Sequence, residues 1–470
     1  MKKIKIGTII IFAILLFVPA VKFNWKENVV SEIDNRMLTN NPFESDEEFE
    51  AGEFTEALED YAQDRIGYRD EMIYLYTIAN DKLFGKMVHP SYIYGKDGYV
   101  FMLPSRPPEF NDYHIDFIDM IEKIQNYCNE RNVPFLFVFD PSKSTILQEE
   151  LKEGINYNAD WVKQFMLELD KRGINYVDNT ELLKEKTQEG EAVFNKKFNA
   201  GHWNDLGAFY GVNNILERLK VWYPNLHINK KSEFDIENKL NTSLLVSEFP
   251  IHEYEPVYRS KAELENLTSE YSDDLELNEQ FPYFQYIINP ERKADGAPKT
   301  LVFQGSYMNG MGYTFLENSL GEYIAVHDYE NVINFDYYYN IFQPECVIFE
   351  VAEYTTNQVF FNQANMQNMK LNPEETGLEQ EAEIIETEIT TDDISVKRKG
   401  NLCNITVNGI DTNVEYAYLK INDVSYDLKK VGDTDAYNVT IEYNNYDENS
   451  MELITYQSGI IRKFVVRDER

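Results

Sequence analysis

From Ile6 to Val21 the chain is apolar and uncharged, broken only by Gly7, Thr8 and Pro19, and Lys2, Lys3 and Lys5 precede the run. About 20 helical residues span a hydrocarbon core, with about 17 as the lower limit. The pattern predicts a membrane helix over residues 1–25 with its basic end inside. Val18-Pro19-Ala20 is a poor small-x-small cleavage site, which favours a retained anchor over a cleaved signal peptide. The rest of the chain is then a single-pass protein's extracellular domain at the cell membrane. From Asp46 to Phe84 apolar residues recur at helical spacing, among them Phe54, Leu58, Tyr61, Leu75 and Ile78. Gly95-Lys96-Asp97-Gly98, flanked by aromatic residues, reads as a hairpin turn.

The texture then alternates. Residues 115–129 form an amphipathic pattern with Ile118, Ile121, Ile124 and Cys128 on one side. Residues 134–139 are continuously apolar, as in a strand buried on both faces. Helices are predicted at 159–171 and 206–220, and strands at 174–177, 300–303 and 346–351. Strands alternating with helices predict an α/β domain over residues 30–370, its mostly parallel sheet flanked by helices. Within it, 224–298 is aromatic and acidic with weak periodicity and is expected to be an insertion shaping a surface or cleft. An acidic stretch, 371–393, reads as a linker. Residues 394–470 then carry short strand patterns separated by Asn408-Gly409, Gly432-Asp433 and Ser458-Gly459, the signature of an all-β sandwich.

The net charge of −37 would repel phosphate backbones, so nucleic acid is excluded as a partner. Three cysteines, Cys128, Cys346 and Cys403, make no disulfide framework. With no CxxC and no His-Cys cluster, neither a metal nor a cofactor is expected.

Of the six histidines, one stands in a distinctive context. Asn199-Ala200-Gly201-His202-Trp203-Asn204-Asp205 places His202 in a loop just before a helix, with Asn204 or Asp205 as its N-cap. A buried His–Trp pair is the ordinary alternative. The second element is the strand 300–303 ending in Gln304-Gly305-Ser306. Sites in open α/β sheets form at the carboxyl ends of strands. A serine there is a weak nucleophile until a base takes its proton, and His202 is the candidate base. A turn or N-cap serine is the ordinary alternative.

Several blocks in order carry a resemblance. Glu32 to Leu38 with Asn35-Arg36 resembles "ENR-x-L", and Tyr61 to Asp70, with Asp64 and Arg69-Asp70, resembles "Y-x-x-D-x-x-x-x-R-D". Tyr94 to Phe101 resembles "GKDGWLF", Pro141-Ser142-Lys143 a "P-x-K" turn, Gly201 to Ala208 "HWN-x-x-GA", and Val347 to Glu353 "VVIFEVAER". Over about residues 30 to 365 the chain resembles the SGNH-hydrolase-like family of the alginate O-acetylation proteins AlgJ and AlgX, with DHHW relatives. The resemblance implies an O-acetyltransferase, or an acetylesterase, acting on an exopolysaccharide or cell-wall glycan through an acyl-serine. It implies Ser306 as nucleophile, His202 as base, and a membrane-bound O-acyltransferase partner supplying acetyl. The family's block usually begins with Asp two or three positions before the histidine; Ala200 and Asn199 stand there. Asn199 could still orient His202, and Asp205 is the alternative acid; Asn309 is a candidate oxyanion donor. Gln304-Gly305-Ser306 also departs from Gly-Asp-Ser. The rival expectation is a catalytically degenerate glycan-binding or assembly component of a polysaccharide modification or export complex. By analogy with relatives, residues 394–470 are a candidate carbohydrate-binding module.

Overall fold

The computed structural model describes residues 2–31, 33, 36–43, 53–103, 109–155, 157, 160–245, 247–379, 383–390 and 393–467. Glu32 and Asn35 of the first matched block, and Asp46 at the start of the predicted helical region, lie outside the described residues. Lys2–Val21 is a helix, long and apolar enough to cross a membrane, with a mean hydropathy of 2.5 over Ile4–Val21. Its carboxyl end meets the turn between helices Glu53–Arg65 and Arg69–Phe84: Gly67 N–H donates to Pro19 O at 3.0 Å, and Asn24 N–H to Arg65 O at 2.7 Å.

A seven-stranded sheet organises the α/β domain. Its strands are β1 (Phe135–Asp140), β2 (Tyr176–Asp178), β3 (Glu265–Asn266), β4 (Phe284–Ile288), β5 (Lys299–Gln304), β6 (Glu322–His327) and β7 (Cys346–Ala352). They lie in the order β2-β1-β7-β5-β6-β4-β3. The first five are parallel; β4 and β3 close one edge antiparallel. The three apolar runs expected as strands are therefore direct neighbours, with Phe349 opposite Phe137 on one side and Phe303 on the other.

Both faces of this sheet are covered, which is why β1, β5 and β7 read as continuous rather than alternating apolar runs. Phe137, Phe139, Phe303 and Phe349 face one layer, packed by helix Asp112–Glu130 through Phe117, Ile121, Ile124 and Cys128. Asn111 caps that helix by accepting from Tyr113 N–H at 3.1 Å. Leu136, Val138, Val302 and Ile348 face the other layer, with Trp203, Val212, Ile215 and Leu216. Helix Asp205–Leu219 supplies that second layer, and Asn204, rather than Asp205, is its N-cap, accepting from Gly207 N–H at 3.0 Å. Tyr92–Tyr94 and Val100–Met102 pair around the expected turn, where Asp97 (φ 49°) and Gly98 (φ 81°) take left-handed conformations.

The weakly patterned insertion is more regular than its sequence suggests. It contains β3, β4 and a long antiparallel hairpin, Phe234–Leu244 with Ser247–Ser260. The C-terminal region is β-rich: a five-stranded and a four-stranded sheet enclose Cys403, Ile405, Leu419, Tyr426, Ile441 and Leu453. Within the acidic stretch expected as a linker, Glu383–Thr390 is a strand paired parallel with Ile460–Arg467. This region is clasped to the α/β domain. Buried Asp427 accepts from Tyr127 Oη at 2.7 Å and Arg131 Nη2 at 3.2 Å, while its backbone exchanges two hydrogen bonds with the Asn340 side chain.

Candidate active site

Ser306 follows β5 at its carboxyl end and opens a helical run that continues as a π-helix over Met308–Gly312 and an α-helix over Tyr313–Glu317. Its N–H thus belongs to a helix start, where backbone donors have no intrahelical partner. A π segment two residues after a candidate nucleophile is a common device of functional sites.

His202 reaches Ser306 from a loop 104 residues away in sequence: its Nε2 lies 2.7 Å from Ser306 Oγ. The other ring nitrogen, Nδ1, lies 3.1 Å from Asn199 Oδ1. That amide oxygen also accepts from the N–H groups of His202 (3.0 Å) and Gly201 (3.3 Å). Two backbone donors fix which end of the amide faces the ring. The ring therefore carries its proton on Nδ1 and presents a bare Nε2 to the serine. Burial pushes the His202 pKa down to about 4, so the imidazole is a neutral proton acceptor at any ordinary pH.

A third group completes the cluster. Tyr354 Oη lies 2.7 Å from Ser306 Oγ and 2.9 Å from His202 Nε2. Nε2 has one lone pair, so the two hydroxyls compete for it. The arrangement that satisfies all three has Ser306 donating to His202 and Tyr354 donating to Ser306. Burial raises the Tyr354 pKa, which keeps it a donor. Sequence reasoning missed this residue. The signal was present, because Tyr354 stands where the "VVIFEVAER" block ends in Arg. A hydroxyl that turns from Ser306 Oγ to the oxyanion forming beside it is worth about 10²-fold in turnover. Tyr354→Phe is expected to lose that factor in kcat with little change in KM, measured on a chromogenic acetyl ester.

Asp205 is directed elsewhere. Its carboxylate accepts from Tyr258 N–H at 2.8 Å, on the long hairpin, and burial raises its pKa to about 6. Its bond pins the hairpin to the helix rather than orienting His202. Asn309 lies one turn beyond Ser306; its amide oxygen accepts from Gln304 Nε2 at 2.7 Å, leaving its NH2 as the donor end.

The histidine loop is gripped from two sides. Lys143, fully buried, donates from Nζ to the carbonyls of Val100 (2.7 Å), Lys196 (3.2 Å) and Asn199 (3.1 Å). Opposite, the Glu253 carboxylate accepts from the N–H groups of Lys196 (2.6 Å), Lys197 (2.8 Å) and Phe198 (2.6 Å). Tyr307 Oη donates to Gly201 O at 2.8 Å, and Trp203 Nε1 donates to Tyr307 O at 3.1 Å. Burial lowers the Lys143 pKa to about 7, opposed by the charge of Glu253. Lys143→Met would leave the buried carbonyls of Val100 and Asn199 without this donor, Lys196 O keeping Val100 N–H at 2.9 Å, and is expected to cost about 3 kcal/mol in a denaturant titration.

The arrangement is a serine with its base, an orienting amide and a hydroxyl donor, at the carboxyl edge of a parallel sheet. That is the equipment of acyl transfer. Among the described residues no group of three or more His, Cys, Asp or Glu side chains is placed to hold a metal ion.

Comparison with known proteins finds one family-model match and several likenesses to solved structures. Residues 94–273 match the family model of the SGNH hydrolase-like domain of acetyltransferase AlgX; the match takes in Asn199 and His202 and ends before Ser306. The solved structure of Bacillus cereus PatB1 is 16% identical, with a TM-score of 0.46, covering 59% of this chain and 100% of that one. The O-acetyltransferase domain of Pseudomonas putida AlgJ is 14% identical, with a TM-score of 0.41, covering 60% and 100%. A DHHW family protein from Eubacterium siraeum is 15% identical, with a TM-score of 0.42, covering 60% and 95%. No curated protein matches the chain. Residues 94–273 are thus similar to an SGNH hydrolase-like domain, in a chain that also has a β-rich C-terminal region and one apolar N-terminal helix.

Proposed function

We propose that the protein is an extracytoplasmic O-acetyltransferase that moves acetyl onto an extracellular polysaccharide through an acyl-serine at Ser306. The observation that carries this reading is the 2.7 Å contact of His202 Nε2 with Ser306 Oγ, on a ring whose other nitrogen is held by Asn199. Ser306 Oγ bonds to the acetyl carbonyl carbon as its proton passes to Nε2. The tetrahedral oxyanion is met by Tyr354, by the Asn309 amide and by N–H groups at the helix start. On collapse, the bond to the donor oxygen breaks and the imidazolium returns its proton to that oxygen. A sugar hydroxyl then attacks the acetyl-serine, its proton going to Nε2, and Ser306 leaves with that proton restored. Water in place of the sugar makes the enzyme an esterase.

In this reading the Lys2–Val21 helix is a single-pass anchor, and a membrane-bound O-acyltransferase delivers acetyl from the inner side. The acyl-enzyme is the direct test. Incubation with 4-nitrophenyl acetate should leave acetyl on the Ser306 peptide by mass spectrometry, and oligosaccharide should chase it off with acetyl recovered on sugar. No adduct on Ser306 would reject the mechanism. The rival reading, a glycan-binding or assembly component, is favoured by Asn199, which offers His202 an orienting oxygen but no charge; it predicts oligosaccharide binding without adduct.

A further inference from the structure

Below the Ser306–His202 pair, the carboxyl ends of neighbouring strands carry acids that water does not reach. Asp140 ends β1 and Glu350 lies in β7, both with 0% exposure. Asp140 Oδ1 accepts from Asn179 Nδ2 at 2.7 Å, and Glu350 Oε2 accepts from Gly305 N–H at 2.8 Å. Their other oxygens, Asp140 Oδ2 and Glu350 Oε1, are buried and meet no donor. Among the described residues neither acid forms an ion pair with lysine, arginine or histidine. Yet β1 and β7 are direct neighbours, with Val138 opposite Glu350 and Asp140 opposite Ala352, so the two carboxyl groups sit two residues apart on the same face of adjoining strands and act on each other. Two bare carboxylates in that position would repel and leave both inner oxygens unsatisfied. One proton between them removes both penalties.

Resting on Ser306 as the nucleophile, we propose that Asp140 and Glu350 share one proton, and that Glu350 is a positioning residue holding the Gly305 amide and so the strand exit that presents Ser306. Gly305 has no side chain to fix this exit, and a Cβ there would stand 3.4 Å from Asp328 Oδ2. The exit is therefore set by backbone bonds, of which Glu350 supplies one. The network continues away from the site, with Asn214 Nδ2 donating to Asn179 Oδ1 at 2.9 Å, so the ends of β5, β7 and β1 are tied to helix Asp205–Leu219. Other titratable groups facing the pair are Asp178 toward Asp140, Asp328 toward Glu350, and Tyr307, Tyr329 and Tyr354. Burial raises the pKa of both acids, and the charge of Asp140 adds to the rise at Glu350.

Glu350→Gln and Glu350→Leu separate the roles in the full chain. The glutamine keeps an oxygen for Gly305 N–H and donates from its NH2 to Asp140, standing in for the shared proton; the leucine does neither. Three measurements are expected to agree. The infrared difference between wild type and E350Q at pH 8 should show a protonated-carboxyl carbonyl band in the wild type alone. A carboxyl whose pKa is raised by folding contributes stability that is whole below its unfolded value and lost as pH rises toward its folded value. The wild type's unfolding free energy should therefore fall from about pH 5 upward, and that of E350Q should fall less steeply. Sulfonylation of Ser306 by phenylmethylsulfonyl fluoride should stay close to wild type in E350Q and drop by about 10²-fold in E350L. Absence of the infrared band, or E350Q as slow as E350L, overturns the proposal. If E350L does not fold, E350Q against wild type decides. A wild type inert to the reagent would overturn the Ser306 reading alone, leaving the infrared and unfolding measurements to decide proton sharing.

Discussion

Asn199→Asp is expected to raise ester turnover by about 10²- to 10⁴-fold. The scale comes from the reverse change in a serine protease triad, where aspartate to asparagine costs about 10⁴ with geometry intact. Here the geometry is already in place. Asn199 Oδ1 accepts from His202 Nδ1 and from two backbone N–H groups, and a carboxylate oxygen can accept all three. The new charge would stabilise the imidazolium that forms as Ser306 attacks. It would be tolerated in its buried position because Lys143, bonded to the Asn199 carbonyl, lies close by. The pH profile gives a second reading. With its pKa pushed down to about 4, wild-type His202 should leave turnover flat from about pH 5 upward, whereas the variant's acid limb should move up toward the ordinary imidazole value. An unchanged rate and an unmoved limb would mean that another group already supplies the charge.

Ser306→Ala and His202→Ala should each remove about 10²-fold from wild-type ester turnover. A complete triad gives about 10⁶-fold, and one with an amide in the acid's place retains about 10² of that. The two losses should not add, because serine and histidine act as one unit: the double variant should match either single one. Ser306→Ala should also abolish the acetyl adduct. Full turnover in Ser306→Ala would remove the serine mechanism altogether.

What the sequence displayed was whatever burial writes into it. β1, β5 and β7 are covered on both faces, so each carries an apolar run on both faces and the three could be placed as one sheet. His202 and Ser306 were visible because each stands at the edge of a patterned element, one just before a helix and the other just after a strand. The long hairpin was not visible: most of Phe234–Leu244 is exposed, so no alternation marks it as a strand. Glu383–Thr390 was hidden for a related reason, since an edge strand rich in glutamate has the composition of a linker. Lys143, Glu253 and Glu350 have roles that depend on backbone groups far away in sequence, and side-chain pattern carries no record of backbone partners. Asp205 misled for the opposite reason. It sits near His202 in sequence, but the start of a helix turns its carboxylate toward Tyr258.

The clasp at Asp427 fixes more than stability. Tyr127 is in the last turn of the helix leading into β1 and Arg131 caps its end, and Asn340 is in the helix leading into β7. The C-terminal sheets are therefore fastened at the amino ends of these strands, and Ser306 stands at the carboxyl end. A six-residue strand is roughly 20 Å long, so the two are held about that far apart. A module on a flexible tether samples a volume and raises local concentration according to linker length. One clasped in this way behaves as a ruler instead. If the region binds the proposed acceptor, a polymer gripped there would meet Ser306 at a fixed distance from the grip, so the offset of a mark from the bound point would be set by the protein rather than by chance.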